Sequence, residues 1–338
     1  MTFRPLHLGT FALAVLITMA ACYAAAVALP HNPYLRYQAM TGTIFERARW
    51  IYERIPFADT PIDIAFIGSS RTARAVISPD IEARLAAQGL PRHVVNFSMP
   101  ASGMDMRLTL ARELLENRDV ELLVISLVEQ FPRDGHQAFA DLATVQDILE
   151  SPWISNRNVV SNLVRLPVRQ IQLALVTLMP QAYGYHGDFD PMRYAGTSID
   201  PRIFNPGALA SQKIAADPAM LEADSRFRRR TLTRPILPES LSWVEFNVPQ
   251  TYVRRIADLA EEKGTKLVFL YFPFYGGFPE PFEKAWLEDY GPVLSASFLA
   301  AAPENYNDVA HVSETGADII TDWLAAELPA LLQRAPQP

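Results

Sequence analysis

The sequence predicts an α/β domain in which a parallel sheet carries helices on both faces, preceded by a membrane-spanning helix. Short apolar runs rich in β-branched residues alternate with helical patterns. Strands separated by helices favour parallel pairing, because a parallel neighbour needs a long crossover. The N-terminus holds one uninterrupted apolar stretch. The 338 residues can bury a substantial core, and 49% hydrophobic with 20% charged residues is an ordinary globular balance. A formal net charge of -7 lacks the overall positive field of a nucleic-acid binder, so no nucleic acid is expected as partner.

Residues 8–29 carry no charge; the run begins after Arg4 and His7 and ends at Pro30. At about 1.5 Å rise per residue it reaches roughly 33 Å, enough to cross a hydrocarbon core and longer than the apolar region of a cleaved signal peptide. Residues 1–30 are therefore read as a single-pass anchor in the bacterial inner membrane, with the domain in the periplasm. Two other readings stay open: cleavage near the alanines at 24–26, and lipidation of Cys22, which follows Met19, Ala20 and Ala21 in the manner of a lipobox. Cys22 is the single cysteine, so neither a disulfide framework nor a cysteine metal cage is expected.

Residues 31–60 form a connecting segment with a helical pattern that puts Ile44, Ala48, Ile51 and Ile55 on one face. The domain proper is 61–338. Its first strand is 62–67, and Ser78, Pro79 and Asp80 open a helix to about 87, with the serine as N-cap and the proline first inside. A second strand at 93–97, a helix at 104–117, a third strand at 122–127, a helix at 252–263 and a fourth strand at 266–272 follow. The final helix covers 314–332, with Pro329 bending it or ending it early. Between strands three and four lies an insertion, 130–248, with helical patterns at 138–149 and 158–178 and then a Pro- and Gly-rich stretch. A structureless loop of that length is out of place in a compact domain, so a cap or lid on the sheet edge is expected.

In open parallel sheets ligands bind outside the carboxyl ends of the strands. The first strand ends there on Gly68, Ser69 and Ser70, where glycine permits a tight turn and a serine beyond it can present its hydroxyl beside an exposed backbone N–H. A serine hydroxyl needs a base to become a nucleophile. Of the six histidines, only His311 has an acid three residues before it and a helix just after it. A turn from Asp308 to His311 lets the carboxylate hold one ring nitrogen and leaves the other for a serine.

These residues carry a resemblance. Gly68 with two serines at the first strand's end, Asp308 and His311 before the last helix, and NFSMPASG at 96–103 after the second strand resemble the SGNH (GDSL-type) hydrolase superfamily. The resemblance implies a flavodoxin-like sheet, Ser70 as nucleophile, with Ser69 where many members carry aspartate, Asp308 and His311 as acid and base, backbone N–H groups of Ser70 and Gly103 as oxyanion donors, and no cofactor. One block departs from the family. Where members carry GxND, whose asparagine donates to the oxyanion, this chain reads ISLVEQF at 125–131, and such a donor can be worth about 3 kcal/mol.

With its anchor and its Gly-Ser-Ser block, the chain looks more like the divergent cell-envelope branch, the alginate O-acetylation proteins and DltD, than like secreted lipases. That implies an envelope-anchored serine esterase or O-acyltransferase acting on acyl esters, chiefly acetyl, of a surface polysaccharide. The alternative is a weak or inactive partner that binds glycan or docks onto a membrane O-acyltransferase. The resemblance covers 62–127 and 266 to the end; the insertion lies outside it.

Other residues are weaker candidates. Arg71 could meet a substrate carboxylate or leaving group, or form an ion pair. Asn96, at the second strand's end, and Tyr275, in the aromatic run after the fourth strand, are candidate substrate contacts. His186, Asp188 and Asp190 have cation-like spacing but read as a solvated loop, so no metal is expected. The basic run 226–230 could meet an anionic glycan or lipid headgroups, although a solvated loop face is the plainer reading. Glu129 receives no catalytic role, because a carboxylate repels an oxyanion unless protonated. No glycine-rich phosphate loop follows the first strand, which argues against a flavin or nucleotide.

Overall fold

The computed structural model describes residues 8–333 apart from 102, 215, 233 and 234. Helix α1 (Leu8–Val27) is followed by α2 (Pro33–Gln38) and α3 (Arg47–Arg54), then β1 (Ile64–Ile67), α4 (Ser70–Ala75), α5 (Ser78–Ala87), β2 (Val94–Asn96), α6 (Met104–Asn117) and β3 (Leu122–Leu127). The insertion supplies α7 (Phe139–Leu142), α8 (Val145–Leu149), α9 (Val159–Leu178), α10 (Pro206–Gln212), α11 (Pro218–Thr231) and α12 (Ser242–Glu245). Then come α13 (Asn247–Glu262), β4 (Lys266–Tyr271), α14 (Lys284–Leu287), β5 (Val293–Ser295) and α15 (Glu314–Gln333).

All five strands are parallel, in the order β2-β1-β3-β4-β5. The strands read as continuous apolar runs because both faces are covered. Ala65, Ile67, Leu123, Ile125 and Phe269 point to one side, into a core shared with α3, α6 and α13. Ile64, Phe66, Val124 and Leu270 point to the other, against α5 and α15. That alternation is the period of two of a pleated strand.

Several boundaries differ from the sequence expectation. The edge strand β5 was not foreseen: Val293, Leu294 and Ser295 are only half-buried and too few to show periodicity. The cap of α5 is Ile77, with Ser78 and Pro79 already inside the helix. The helical pattern at 138–149 breaks at Ala143, where Thr144 and Asp147 form a reciprocal capping box and start α8. Helix α13 begins at Asn247, ahead of the apolar pattern that starts at Tyr252, and α15 continues through Pro329. Ala48, Ile51 and Ile55 are buried, but Ile44 is 67% exposed because the helix that holds Ala48 and Ile51 and is capped by Ile55 starts only at Arg47.

The insertion divides in two. Helices α10 and α11 lie over the carboxyl ends of the strands, whereas α9 packs on α1 and α2, away from the sheet. Helix α1 is long and apolar enough to cross a membrane, and residues 8–22 are exposed along it.

Candidate active site

The chain leaves β1 toward β2 and later returns on the other side of β1 to form β3, so a crevice opens at the carboxyl ends of β1 and β3. Gly68 occupies that point, and its backbone is not in the left-handed region. Glycine is required here by closeness: a Cβ would lie 2.0 Å from Ser126 Oγ and 2.3 Å from Thr72 Oγ1. Those two hydroxyls hydrogen-bond to each other at 2.5 Å and tie the start of α4 to β3. The tight-turn reason given from sequence is thereby replaced by a packing reason.

Ser69 is the N-cap of α4, buried, its Oγ accepting from the Arg71 N–H. Ser70, the first helical residue, is half-buried, so of the two serines it is the one offered to the crevice. Its Oγ lies 2.9 Å from His311 Nε2, across 241 positions of sequence.

His311 Nδ1 lies 3.0 and 2.9 Å from the two oxygens of Asp308. Asp308 Oδ1 also accepts from the N–H groups of Ala310 and His311. Burial works to raise the Asp308 carboxyl, but hydrogen bonding to His311, its charge and these backbone N–H groups outweigh it and hold the pKa down to about 2. An ionised carboxylate only accepts, so Nδ1 carries the ring hydrogen and the Nε2 lone pair faces the Ser70 hydroxyl. An imidazole held in this way can take a proton from that hydroxyl.

The turn from Asp308 to His311 is fastened by several contacts. The Tyr275 N–H donates to Val309 O, and Tyr306 Oη donates to Pro273 O. Arg74 reaches Asn307 Oδ1 at 3.3 Å and Asp308 Oδ2 at 3.7 Å. From the insertion, Gln212 Nε2 donates to both Arg74 O and Val312 O, so one buried amide spans the serine helix and the histidine turn.

The weaker candidates have other employment. Arg71 is buried, and its guanidinium holds Glu129 through both nitrogens and donates to Phe272 O. Glu129 also accepts from the Phe274 N–H, and Arg228 of α11 lies 3.6 Å away. Burial pushes the Glu129 carboxyl up, but the Arg71 charge and hydrogen bond bring it below its ordinary value. Asn96 is fully buried: its amide donates to Thr72 O and Val76 O and its oxygen accepts from the Ser98 N–H, so it binds α4 to β2. Tyr275 is buried with its hydroxyl donating to Glu222, and burial raises its pKa.

Gly103 starts α6 and is buried; a Cβ there would lie 2.4 Å from Asp105 Oδ1 and 2.5 Å from His136 N. No hydrogen bond joins Gly103 to Ser70 or His311 among the described residues, but Gly68 and Gly103 both line a cavity of about 10 Å³.

His186 and Asp190 are engaged by Arg193, and the turn is docked on Gln38. No group of three or more potential ligands that could hold a metal occurs among the described residues. In the basic run, Arg228 faces Glu129 and Arg229 donates to Gly276 O.

Sequence reasoning missed Arg74, Gln212 and the Thr72 and Ser126 pair. Arg74 had a signal, one helical turn after Ser70. Gln212 had none, lying in a stretch without periodicity. No known protein-family model matches the chain, and no curated protein matches it.

Proposed function

We propose that the protein is a membrane-anchored serine esterase or O-acyltransferase of the SGNH-like kind, acting on acyl esters, chiefly acetyl, of a bacterial cell-surface polysaccharide. The observation that carries this is the unbroken line from Ser70 Oγ through His311 to Asp308. The all-parallel order 2-1-3-4-5 is that of flavodoxin-like sheets and supports the fold assignment. Helix α1, long and apolar enough to cross a membrane, supports the anchor; its place in the inner membrane with the domain in the periplasm is part of the proposal.

In this reading Ser70 Oγ attacks the acyl carbon while His311 Nε2 takes the hydroxyl proton. Asp308 keeps the imidazole oriented and stabilises its positive charge. The tetrahedral oxyanion is met by the backbone N–H groups of Ser70 and Gly103. Collapse breaks the ester bond, and His311 returns the proton to the leaving alcohol, leaving an acyl-serine. Water or a sugar hydroxyl, deprotonated by His311, then takes the acyl group and frees Ser70. An open groove of about 460 Å³ beside the β3 end, lined in part by Arg133, Arg157 and Arg228, fits a polar polymer better than an aliphatic chain.

The test is hydrolysis of 4-nitrophenyl acetate by the full chain in detergent, wild type against Ser70→Ala. A fall of at least about 10³-fold is expected, together with fluorophosphonate labelling at Ser70 and none at Ser69. Equal rates would remove the mechanism. The second reading, a non-catalytic partner that binds glycan or docks onto a membrane O-acyltransferase, is favoured by one observation: the end of β3 carries the ion-paired Glu129 where an amide donor is expected.

A further inference from the structure

Helix α9 is the longest helix of the insertion among the described residues, and its outward face is apolar. Val160, Val164, Val168, Ile171, Leu175 and Leu178 are between 43% and 76% exposed. At about 100° per residue they fall within an arc of roughly 80°. The opposite side, with Val159, Leu166 and Leu173, is buried against the domain. The polar residues Ser161, Arg165 and Gln172 run along one edge of the stripe only, and Arg165 is paired with Asp141.

The other edge of the stripe meets the end of α1 and the turn that leads from it to α2. Tyr23 Oη donates to Leu163 O, Gln170 Nε2 donates to Val27 O, and the Asn32 N–H donates to Thr177 Oγ1. The contacts advance together along α9 and along α1 into the turn after it, so α9 runs in the same direction as α1, and its first half lies level with the last turns of the apolar helix. Pro167 and Ala174 fill the arc between the α1 contacts and the stripe, so the apolar surface is continuous from one helix to the other. Just before α9, Trp153 and Ile154 are 63% and 47% exposed, and Leu149 is 49% exposed.

We infer that the N-terminal half of α9, with the 149–154 turn before it, is a second membrane-contacting element, dipping into the leaflet on the domain's side next to α1. The inference rests on the reading of α1 as a membrane anchor. The occupant is lipid, because the stripe continues a surface that itself needs lipid, whereas a contact between protein copies has no such reason to begin where the span ends. The geometry also sets a depth order: Val164 lies beside the end of the span and Leu178 beyond it. With two attachments the domain cannot swing freely about α1, and the side of the insertion away from the sheet faces the bilayer.

The experiment uses the full chain in a Cys22→Ser background, reconstituted alone into phosphatidylcholine and phosphatidylglycerol vesicles containing brominated lipid. Bimane is attached in turn at Leu16→Cys, Val164→Cys, Leu178→Cys and Gln172→Cys. Strong quenching is expected at 16 and 164, less at 178, and none at 172. Quenching at 16 with none at 164 overturns the inference while leaving the anchor intact. Absence at both overturns the anchor and the inference with it. Disulfide formation between 164 positions of two copies, in place of quenching, assigns the stripe to a second copy and also overturns it.

Discussion

Replacing Gly68 by alanine tests the close packing that sets the position of Ser70. The added Cβ would stand 2.0 Å from Ser126 Oγ and 2.3 Å from Thr72 Oγ1, with Thr72 Cβ at 2.8 Å. None of these atoms can swing away freely: Thr72 and Ser126 are buried and bonded to each other. Overpacking of this kind costs about 1–3 kcal/mol, and separating the hydroxyl pair adds about 1 kcal/mol. The expected loss is therefore about 2–4 kcal/mol, read as a lower urea midpoint with unchanged slope. Ser126→Ala alone should cost about 1 kcal/mol, since it removes the acceptor for Thr72. On the Gly68→Ala background the same change removes the nearest clashing atom and should recover stability, so its sign reverses. Ester hydrolysis should fall by about 10² in Gly68→Ala, because a shift near 1 Å at the start of α4 misplaces the nucleophile. A wild-type midpoint in Gly68→Ala, or strictly additive effects in the double variant, would refute the packing argument.

Asp308→Asn should lower ester hydrolysis by about 10³–10⁴-fold, because the amide can donate to Nδ1 and turn the Nε2 lone pair into a donor; a thermal melt near wild type at neutral pH separates this from unfolding. Asp308 has a folded pKa of about 2 against 3.8 ordinarily, so the stability it contributes is present above about pH 4 and lost as pH falls toward 2; the gap between wild type and Asp308→Asn should close across that window in acid-titrated melts. Asp105 is the opposite case: burial raises its pKa from 3.8 to about 7 despite hydrogen bonds from His136 and Met106. Its folded form favours the proton, so its contribution is full below about pH 4 and lost as pH rises through 7. Asp105→Asn should therefore gain on wild type between pH 5 and 8, and a constant difference in melting temperature would count against this. Glu129→Gln leaves Arg71 buried without a charged partner and should cost about 3–5 kcal/mol, measured by denaturant unfolding.

The elements legible in the sequence were those with enough residues to show a period. Strands β1, β3 and β4 and helix α6 were placed within a residue or two, because the strands are continuous apolar runs buried on both faces and α6 is a long run with apolar residues at helical spacing. Asp308 and His311 were legible because a turn of three residues fixes their relation locally. Their meeting with Ser70 needed only the rule that strand ends converge. The unread parts depend on contacts far apart in the chain. Asn96, Arg71 and Tyr275 look like free polar groups at strand ends, and only the fold reveals that α4, Glu129 and Glu222 already engage them. The exposed stripe of α9 was hidden by its own helical periodicity, which reads the same whether the apolar residues turn inward or outward.

Glu129 is where sequence and structure pull hardest against each other, and charge accounting decides what it does. A lone carboxylate at the end of β3 would oppose negative charge developing near Ser70. Protonation is one escape, yet the carboxyl sits below its ordinary value rather than above it. The charge is cancelled in place instead, by Arg71 directly and by Arg228 at 3.6 Å. Because Arg71 follows Ser70 in sequence and also holds Phe272 O, the pair fastens the ends of β1, β3 and β4 to one another. Glu129 at this strand end thus leaves no uncompensated negative charge beside the crevice. The Arg71 and Glu129 pair is a clamp that holds the serine helix against the strands from which the histidine turn is hung, and Arg228 leaves the group with a net positive charge.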